Sequence, residues 1–330
     1  MQATPPPTQP HLIRVSTELR EFPLPFFAVV MGLAGLTLAW EKASVVAGQA
    51  LWIDQATLLV APLIFIILTL FYLGKWLYYP AEARSDLSHP TKLAFLPLIS
   101  VDLLLISLSL LNLMLHLAQW IWIIGTSLHL VFSLLVINSW LHLNHYQIQT
   151  VSPAWFILVI GNILVPLVGI PLGFAQTSWF YFSIGMLLWG ILFTIALYRV
   201  LFHTPSPTRL IPTLFILIAP PAIGFLAYLK MTEILDSFAF FLYYIALFLT
   251  ILLFTQLHLL VRVQLFLSWW AYSFSLATIT IATLTMYEKT HLFFFLWLGI
   301  FLLLALSLVI FILLMNTVRA ILNNAIYIED

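Results

Sequence analysis

The chain has 330 residues, of which 63% are hydrophobic and only 7% are charged. A soluble globular chain is roughly half apolar and about one quarter charged, so this chain lacks the polar groups that would cover a water-exposed surface. The formal net charge is zero and cysteine is absent, which excludes a basic nucleic-acid-binding surface, disulfide bonds and cysteine-ligated metal sites. The sequence therefore predicts an all-α integral membrane protein rather than a soluble enzyme.

Ten apolar stretches are long enough to cross the hydrocarbon core of a bilayer, which takes about 20 residues per helix. We interpret residues 23–317 as a single ten-helix domain between a short N-terminal tail (1–22) and a short C-terminal tail (318–330). No apolar stretch precedes Pro23, so we expect no cleavable signal peptide. In chain order, the predicted spans cover 25–43, 54–77, 93–115, 118–142, 154–172, 178–202, 209–229, 235–259, 264–287 and 291–317.

Basic residues predict the orientation of these spans. Only three of the twelve Lys and Arg residues (Lys42, Lys230 and Lys289) belong to connections after odd-numbered spans. The others lie in the tails or in connections after even-numbered spans. Because basic residues concentrate on the cytoplasmic side of a membrane, we expect both termini in the cytoplasm of a multi-pass inner or plasma membrane protein.

Internal prolines and glycines concentrate in the odd-numbered spans, with Pro62 as an exception. Proline kinks a helix, and in lipid the carbonyl that it frees needs a partner from protein or water. Glycine lets two helices approach closely. We therefore expect the odd helices inside the bundle and the even helices outside. The residues that carry this argument include Gly32, Pro97, Gly161, Pro166 and Pro220.

Six segments, in this order and spacing, are similar to one transporter family. They are FPLPFFAVVMGLAGLTLAW (22–40), HPTKLAFLPLISVDLLL (89–105), VIGNILVPLVG (159–169), FSIGMLLWGILFTIALYRVLFH (182–203), RLIPTLFILIAPPAIGFLAYL (209–229) and LSWWAYSFSLATITIATL (267–284). The chain resembles the tellurite-resistance and C4-dicarboxylate transporter family, which includes bacterial tellurite-resistance protein A and the slow-type anion channels of plant guard cells.

The resemblance implies a homotrimer whose subunits each contain five helical hairpins, with odd helices around a central pore and even helices in an outer ring. It also implies that a phenylalanine of the ninth helix plugs the pore, and its position within SWWAYSF is that of Phe274. Ser275 stands where we expect a proline in many relatives. The pore-lining candidates are Gly32, Pro97, Ser100, Ser107, Gly161, Pro166, Pro220, Thr278 and Thr285.

Phe274 also stands out without the resemblance. Phe274, Thr278, Ile281 and Thr285 recur at the spacing of one helix face. A large aromatic side chain among hydroxyl groups suits a hydrophobic constriction in a wet pore. The alternative is a phenylalanine packed in the core.

The third span has two polar faces, one with Pro97, Ser100 and Ser107 and the other with Asp102, Ser109, Asn112 and His116. An ionised carboxylate in the wall of a pore would repel anions. We therefore expect the serine face to line the pore and Asp102 to form a hydrogen bond to a neighbouring helix. A charged residue at mid-membrane is also a functional candidate, so proton coupling through Asp102 is the alternative.

No Lys or Arg lies in the middle of a predicted span, so the side chains offer no tight site for a dicarboxylate or phosphate. Weak binding suits fast conduction. The first hypothesis is an anion channel for small monovalent anions such as chloride and nitrate, occluded by Phe274. The alternatives are a secondary transporter of an oxyanion (tellurite, sulfite) or a C4-dicarboxylate, with or without proton coupling, and an intramembrane enzyme or structural membrane protein.

No catalytic residue, metal or cofactor is predicted. His142, His145 and His89 could contribute to a metal site, but no carboxylate or cysteine completes one in the sequence, and histidines at the interface are the favoured interpretation. His129 is interpreted as an interhelical hydrogen-bonding residue. The expected partners are small inorganic anions, the lipid bilayer and two further copies of the chain, without nucleic acid.

Overall fold

The computed structural model describes residues 19–49, 56–142, 148, 151–202, 214–256 and 269–322. These residues form helices and turns, and none of them lies in a strand. The helices are α1 (Phe27–Ala47), α2 (Val60–Tyr78), α3 (Pro80–Ser88), α4 (Pro90–Leu93), α5 (Leu98–Leu110), α6 (Leu115–His142), α7 (Phe156–Gly169), α8 (Ala175–Phe202), α9 (Ala219–Thr232), α10 (Ser237–Phe254), α11 (Trp270–Thr290) and α12 (Phe293–Leu322).

Seven of the described helices are long and apolar enough to cross a membrane: α1, α2, α6, α8, α9, α10 and α12, where α1 and α9 are counted with the 3-10 turns that precede them. α5 and α7 are apolar but shorter. α11 has 21 residues, but its many serines and threonines make it less apolar. The protein is therefore a multi-pass membrane protein, and the count of ten spans stays a prediction.

Five helices contact one another in a closed ring. α1 packs on α5, α5 on α7, α7 on α9, α9 on α11, and α11 on α1. Each ring helix also carries one outer helix: α2 on α1, α6 on α5, α8 on α7, α10 on α9 and α12 on α11. In the most apolar window of each helix, 78% of the residues of α1 are buried but only 17% of those of α2. The core of the protein is therefore the ring.

The helix ends follow local rules. α1 ends at Gly48, whose φ of 67° lies in the left-handed region. Glycine adopts this conformation readily because it has no Cβ atom. α10 begins after Asp236, whose carboxylate accepts hydrogen bonds from the backbone N–H groups of Phe238 and Ala239. The hydroxyl of Tyr228 donates to the same carboxylate and, with these N–H groups, holds the pKa of Asp236 below its usual value.

Several prolines lie at helix starts rather than inside helices. Pro97 is the N-cap residue of α5, and Pro220 lies in the first turn of α9 after a 3-10 turn at 214–218. The expectation that Pro97 lies inside a helix was wrong, whereas Pro220 lies within the continuous helical segment 214–232, at its change from 3-10 to α-helix. A first turn has backbone N–H groups without intrahelical acceptors, so proline costs no hydrogen bond there. Pro166 does lie inside α7.

A buried ion pair joins the N-terminal segment to α2 and α3. The ammonium group of Lys75 donates to the Asp86 carboxylate at 2.6 Å and to the carbonyl of Phe22 at 3.0 Å. The Lys75 and Asp86 side chains are only 4% and 6% exposed. The second carboxylate oxygen of Asp86 contacts the Lys92 ammonium at 3.2 Å. This cluster holds the segment around Phe22 against the end of α2.

Replacing Asp86 by Asn should destabilise the protein by about 3–5 kcal/mol, because it leaves the buried Lys75 ammonium without a counter-ion. The matched control is Arg20→Gln, which removes an ion pair with Glu82 whose side chains are 57% and 31% exposed. Such a pair contributes roughly 0–1 kcal/mol. Thermal unfolding in detergent compares both variants, and an Asp86→Asn effect as small as that of the control would contradict the prediction.

Candidate functional site

The five ring helices enclose a cavity of about 800 Å³. Its walls are mostly leucine and isoleucine side chains from the C-terminal halves of these helices, and charged side chains surround its mouth at their C-terminal ends. Phe274 is the lining residue of α11 that lies farthest along the helix from the charged mouth. The cavity therefore extends from a charged rim, through apolar walls, to this phenylalanine.

Phe274 is only 2% exposed and packs against the backbone of α1. A Cβ atom on Gly35 would lie 3.3 Å from Cδ2 of Phe274 and 2.9 Å from Cβ of Ala277. Thr278 and Thr285 lie on the same face of α11 and also line the cavity. Their hydroxyl groups donate to carbonyl oxygens of their own helix, each at 2.8 Å. They therefore have no proton left to donate to an anion in the cavity.

The structure places the serine face of α5 toward the outer helix α6. The Ser100 hydroxyl lies 2.8 Å from Nδ1 of His129. The Ser107 hydroxyl donates to the carbonyl of Ala118 at 2.7 Å. This differs from the expectation that these serines line the pore, because buried hydroxyl groups bind where acceptors are available and α6 supplies them. On this side the cavity is instead lined by Leu105 and Leu108 of α5 and by Leu111 and Asn112 of the turn that follows it.

The remaining glycine and proline candidates are buried between helices. A Cβ atom on Gly32 would lie 2.4 Å from the Ser273 hydroxyl oxygen, so Gly32 serves the packing of α1 on α11. Pro97, Pro166 and Pro220 are buried as well. Among the described lining residues of the cavity, none of these four appears.

His129 lies at a buried junction of three helices. Its Nε2 lies 3.1 Å from the carbonyl oxygen of Leu158 and 3.2 Å from Nδ2 of Asn162 in α7. Gly161 makes room for the ring, since a Cβ atom there would lie 2.0 Å from Cε1 of His129. With Ser100, this network connects α5, α6 and α7. The interhelical hydrogen bonding expected of His129 is present, but its partners were not predictable from spacing.

Asp102 is fully buried and does not line the cavity. Neither carboxyl oxygen has a hydrogen-bond partner among the described residues. The expected hydrogen bond to a neighbouring helix is therefore not found in this part of the chain. Its position keeps a carboxyl group out of the cavity wall.

The histidines considered as metal ligands do not form a site within the described ranges, where no group of three potential ligands occurs. His142 contacts the carbonyl oxygen of Asn138 in its own helix through Nδ1 at 2.9 Å. His145 lies outside the described residues.

The charged rim was not predicted from the sequence. Its lysines, Lys42, Lys230 and Lys289, stood out only as the three basic residues in connections after odd-numbered spans. The rim is formed by residues of the last two turns of α1, of the turn after α5 and of the C-terminal ends of α9 and α11: Glu41, Lys42, Asn112, Lys230, Glu233, Glu288 and Lys289. Charged residues at the C-terminal ends of odd-numbered spans were the available signal.

Residues 21–318 match the family model described as SLAC1, voltage-dependent anion channel. The chain is 23% identical over 263 residues to the S-type anion channel SLAH3 of Arabidopsis thaliana, covering 78% of this chain and 41% of the relative. It is 26% identical over 267 residues to the tellurite resistance protein TehA homolog of Haemophilus influenzae, covering 79% and 80%. The chain thus spans about half the length of the plant relatives that it matches.

Replacing Gly161 by Ala should lower the melting temperature of the detergent-purified protein by several degrees, because the new methyl group would overlap the His129 ring and overpacking costs about 1–3 kcal/mol. Gly190→Ala is the matched control, since nothing lies within 4 Å of the added atom. We expect the control to be as stable as the wild type or slightly more stable. Equal melting temperatures for the two variants would show that the junction is not tightly packed.

Proposed function

The chain belongs to the SLAC1 family of voltage-dependent anion channels, and from this premise we propose that it is an anion channel whose pore is the ring cavity, occluded by Phe274. Membership of this family makes it a membrane protein of anion transport and not an enzyme. The observation that carries the proposal is the position of Phe274, which lies against Gly35 at the inner end of an apolar cavity.

The proposed architecture is ten spans in five hairpins, in which α1, α5, α7, α9 and α11 line the pore and α2, α6, α8, α10 and α12 surround them. The ring contacts and the exposed apolar faces of the outer helices support it. With an even number of spans, both termini lie in the cytoplasm and the charged rim faces the external side. The proposal includes a homotrimer with one pore per subunit in the inner or plasma membrane.

The proposed selectivity follows from the chemistry of the walls. Among the described lining residues, lysine occurs only at the rim, and the two threonine hydroxyls are bonded to their own helix. An anion inside the cavity therefore loses water without gaining strong donors. Such a pore favours anions that are cheap to dehydrate, so nitrate should pass more easily than chloride. Tight binding of a multivalent oxyanion is not favoured by these walls.

The second candidate function is a proton-coupled carrier of an oxyanion or C4-dicarboxylate. The observation in its favour is Asp102, a carboxyl group buried inside α5 without a hydrogen-bond partner among the described residues. A buried polar group without a partner is costly. A coupled carrier would use this carboxyl group to take up and release a proton during transport, whereas a channel does not require such a group.

Replacing Phe274 by Ala should increase anion current many-fold, because it removes the ring that fills the inner end of the cavity. The measurement is current in planar bilayers with chloride and nitrate, for the wild type and the variant. The matched control is Phe225→Ala, since Phe225 is also fully buried but packs on Tyr243 away from the cavity. No current in any of the three proteins, despite folded material, would exclude the channel proposal.

Replacing Asp102 by Asn should leave anion flux unchanged, because the substitution keeps the shape and removes only a group that does not face the cavity. The measurement is uptake of labelled chloride into proteoliposomes, with and without a pH gradient. A wild-type flux that accumulates the anion against its gradient, together with loss of this accumulation in the variant, would favour the coupled carrier.

A further inference from the structure

The mouth of the ring cavity is built from helix C-termini. The described rim residues come from the last two turns of α1, from the C-terminal ends of α9 and α11 and from the turn that follows α5. Helix C-termini carry about half a negative elementary charge each. An anion that approaches the mouth from water is therefore repelled, unless cationic side chains at the rim offset this field.

One rim lysine is already paired. The Lys42 ammonium of α1 forms an ion pair with the Glu288 carboxylate of α11, and their charges cancel. Glu41 accepts a hydrogen bond from Nδ2 of Asn112 at 2.9 Å. These contacts connect α1 to α11 and to the end of α5. They hold the rim together and, because Glu41 adds a second carboxylate to the Lys42–Glu288 pair, leave one formal negative charge at its α1 side.

Lys230 and Lys289 differ from Lys42. Both are exposed, both lie in the last turn of their helix, and both line the cavity. The ion pairs found among the described residues are Arg20–Glu82, Lys42–Glu288 and those of Asp86 with Lys75 and Lys92. Neither Lys230 nor Lys289 takes part in one. Because α9 and α11 pack against each other, the two ammonium groups belong to adjacent parts of the rim.

We propose that Lys230 and Lys289 form an anion-capture pair at the mouth of the cavity, which draws small inorganic anions from dilute solution toward the pore. The inference rests on the proposed channel function. Below the rim the described walls carry no charge, so the two lysines and the paired Lys42 are the last cations along the entry path. Low-dielectric walls strengthen their field within the mouth.

Glu233 supplies an opposing charge in the same place. It lines the rim three residues after Lys230, is exposed, and belongs to none of these ion pairs. Its left-handed backbone (φ 60°) ends α9. The proposal therefore predicts opposite effects: removing either lysine should slow anion entry, and removing the Glu233 charge should speed it.

The magnitude follows from Coulomb's law. One unit charge about 8 Å from an anion in water changes its energy enough to alter its local concentration roughly twofold, and two charges alter it roughly fivefold. The Debye length is about 30 Å at 0.01 M salt but about 3 Å at 1 M. The effect should therefore be present at low salt and absent at high salt.

The absence of cysteine from the chain allows a direct test. Lys230→Cys and Lys289→Cys are made in the Phe274→Ala background, and single-channel chloride conductance is measured in planar bilayers at about 10 mM and about 1 M salt. Each variant is then treated with methanethiosulfonate reagents that attach either an ammonium or a sulfonate group. Arg319→Cys, at an exposed basic residue outside the cavity lining, is the control for the reagents.

At low salt we expect about half the parental conductance for each cysteine variant and about one fifth for the double variant. The ammonium reagent should restore it, the sulfonate reagent should lower it further, and Glu233→Gln should raise it. Equal conductance with either reagent, or changes of the same sign in Lys230→Cys and Glu233→Gln, would overturn the capture pair while leaving the channel intact. No anion current in the Phe274→Ala parent would overturn the channel function itself, and with it this inference.

Discussion

Two glycines on one face of α1, Gly32 and Gly35, allow α11 to pack directly on the α1 backbone. Added Cβ atoms would lie 2.4 Å from the Ser273 hydroxyl oxygen and 2.9 Å from Cβ of Ala277. This contact closes the ring, because it joins the first and the last of the five inner helices. It also places the Phe274 ring directly against Gly35 of α1. Any widening here would change both the closure of the ring and the fit of the aromatic side chain.

Glycines also allow close packing where outer helices meet the ring. A Cβ atom on Gly185 of α8 would lie 2.6 Å from Ile163 of α7, and one on Gly299 of α12 would lie 2.6 Å from Leu284 of α11. Lipid tails are as apolar as leucine, so helix association in a membrane depends on close packing and interhelical hydrogen bonds. Small residues and the buried His129 network supply these. The apolar outer faces are left to the lipid.

The ring separates two physical tasks. In the proposed pore, the apolar walls would dehydrate an anion without offering strong donors, and Phe274 fills the inner end. The charges lie at the rim, where they would act on an anion that is still hydrated. A cation in the middle of the wall would bind an anion tightly and slow its release, which conflicts with conduction. The placement of lysine at helix ends is therefore consistent with a pathway of weak binding.

The sequence by itself determined the fold class, the approximate helices and the shared face of Phe274, Thr278 and Thr285, because hydropathy and helical period are local properties. It did not determine which face of α5 meets the cavity. That choice depends on His129. Its imidazole ring lies within hydrogen-bond distance of the Ser100 hydroxyl, in space that Gly161 leaves free. Nor could sequence spacing show that residues as far apart in the chain as Glu41 and Lys289 meet at one rim. Only the tertiary structure decided this, since long-range packing brings those helix ends together.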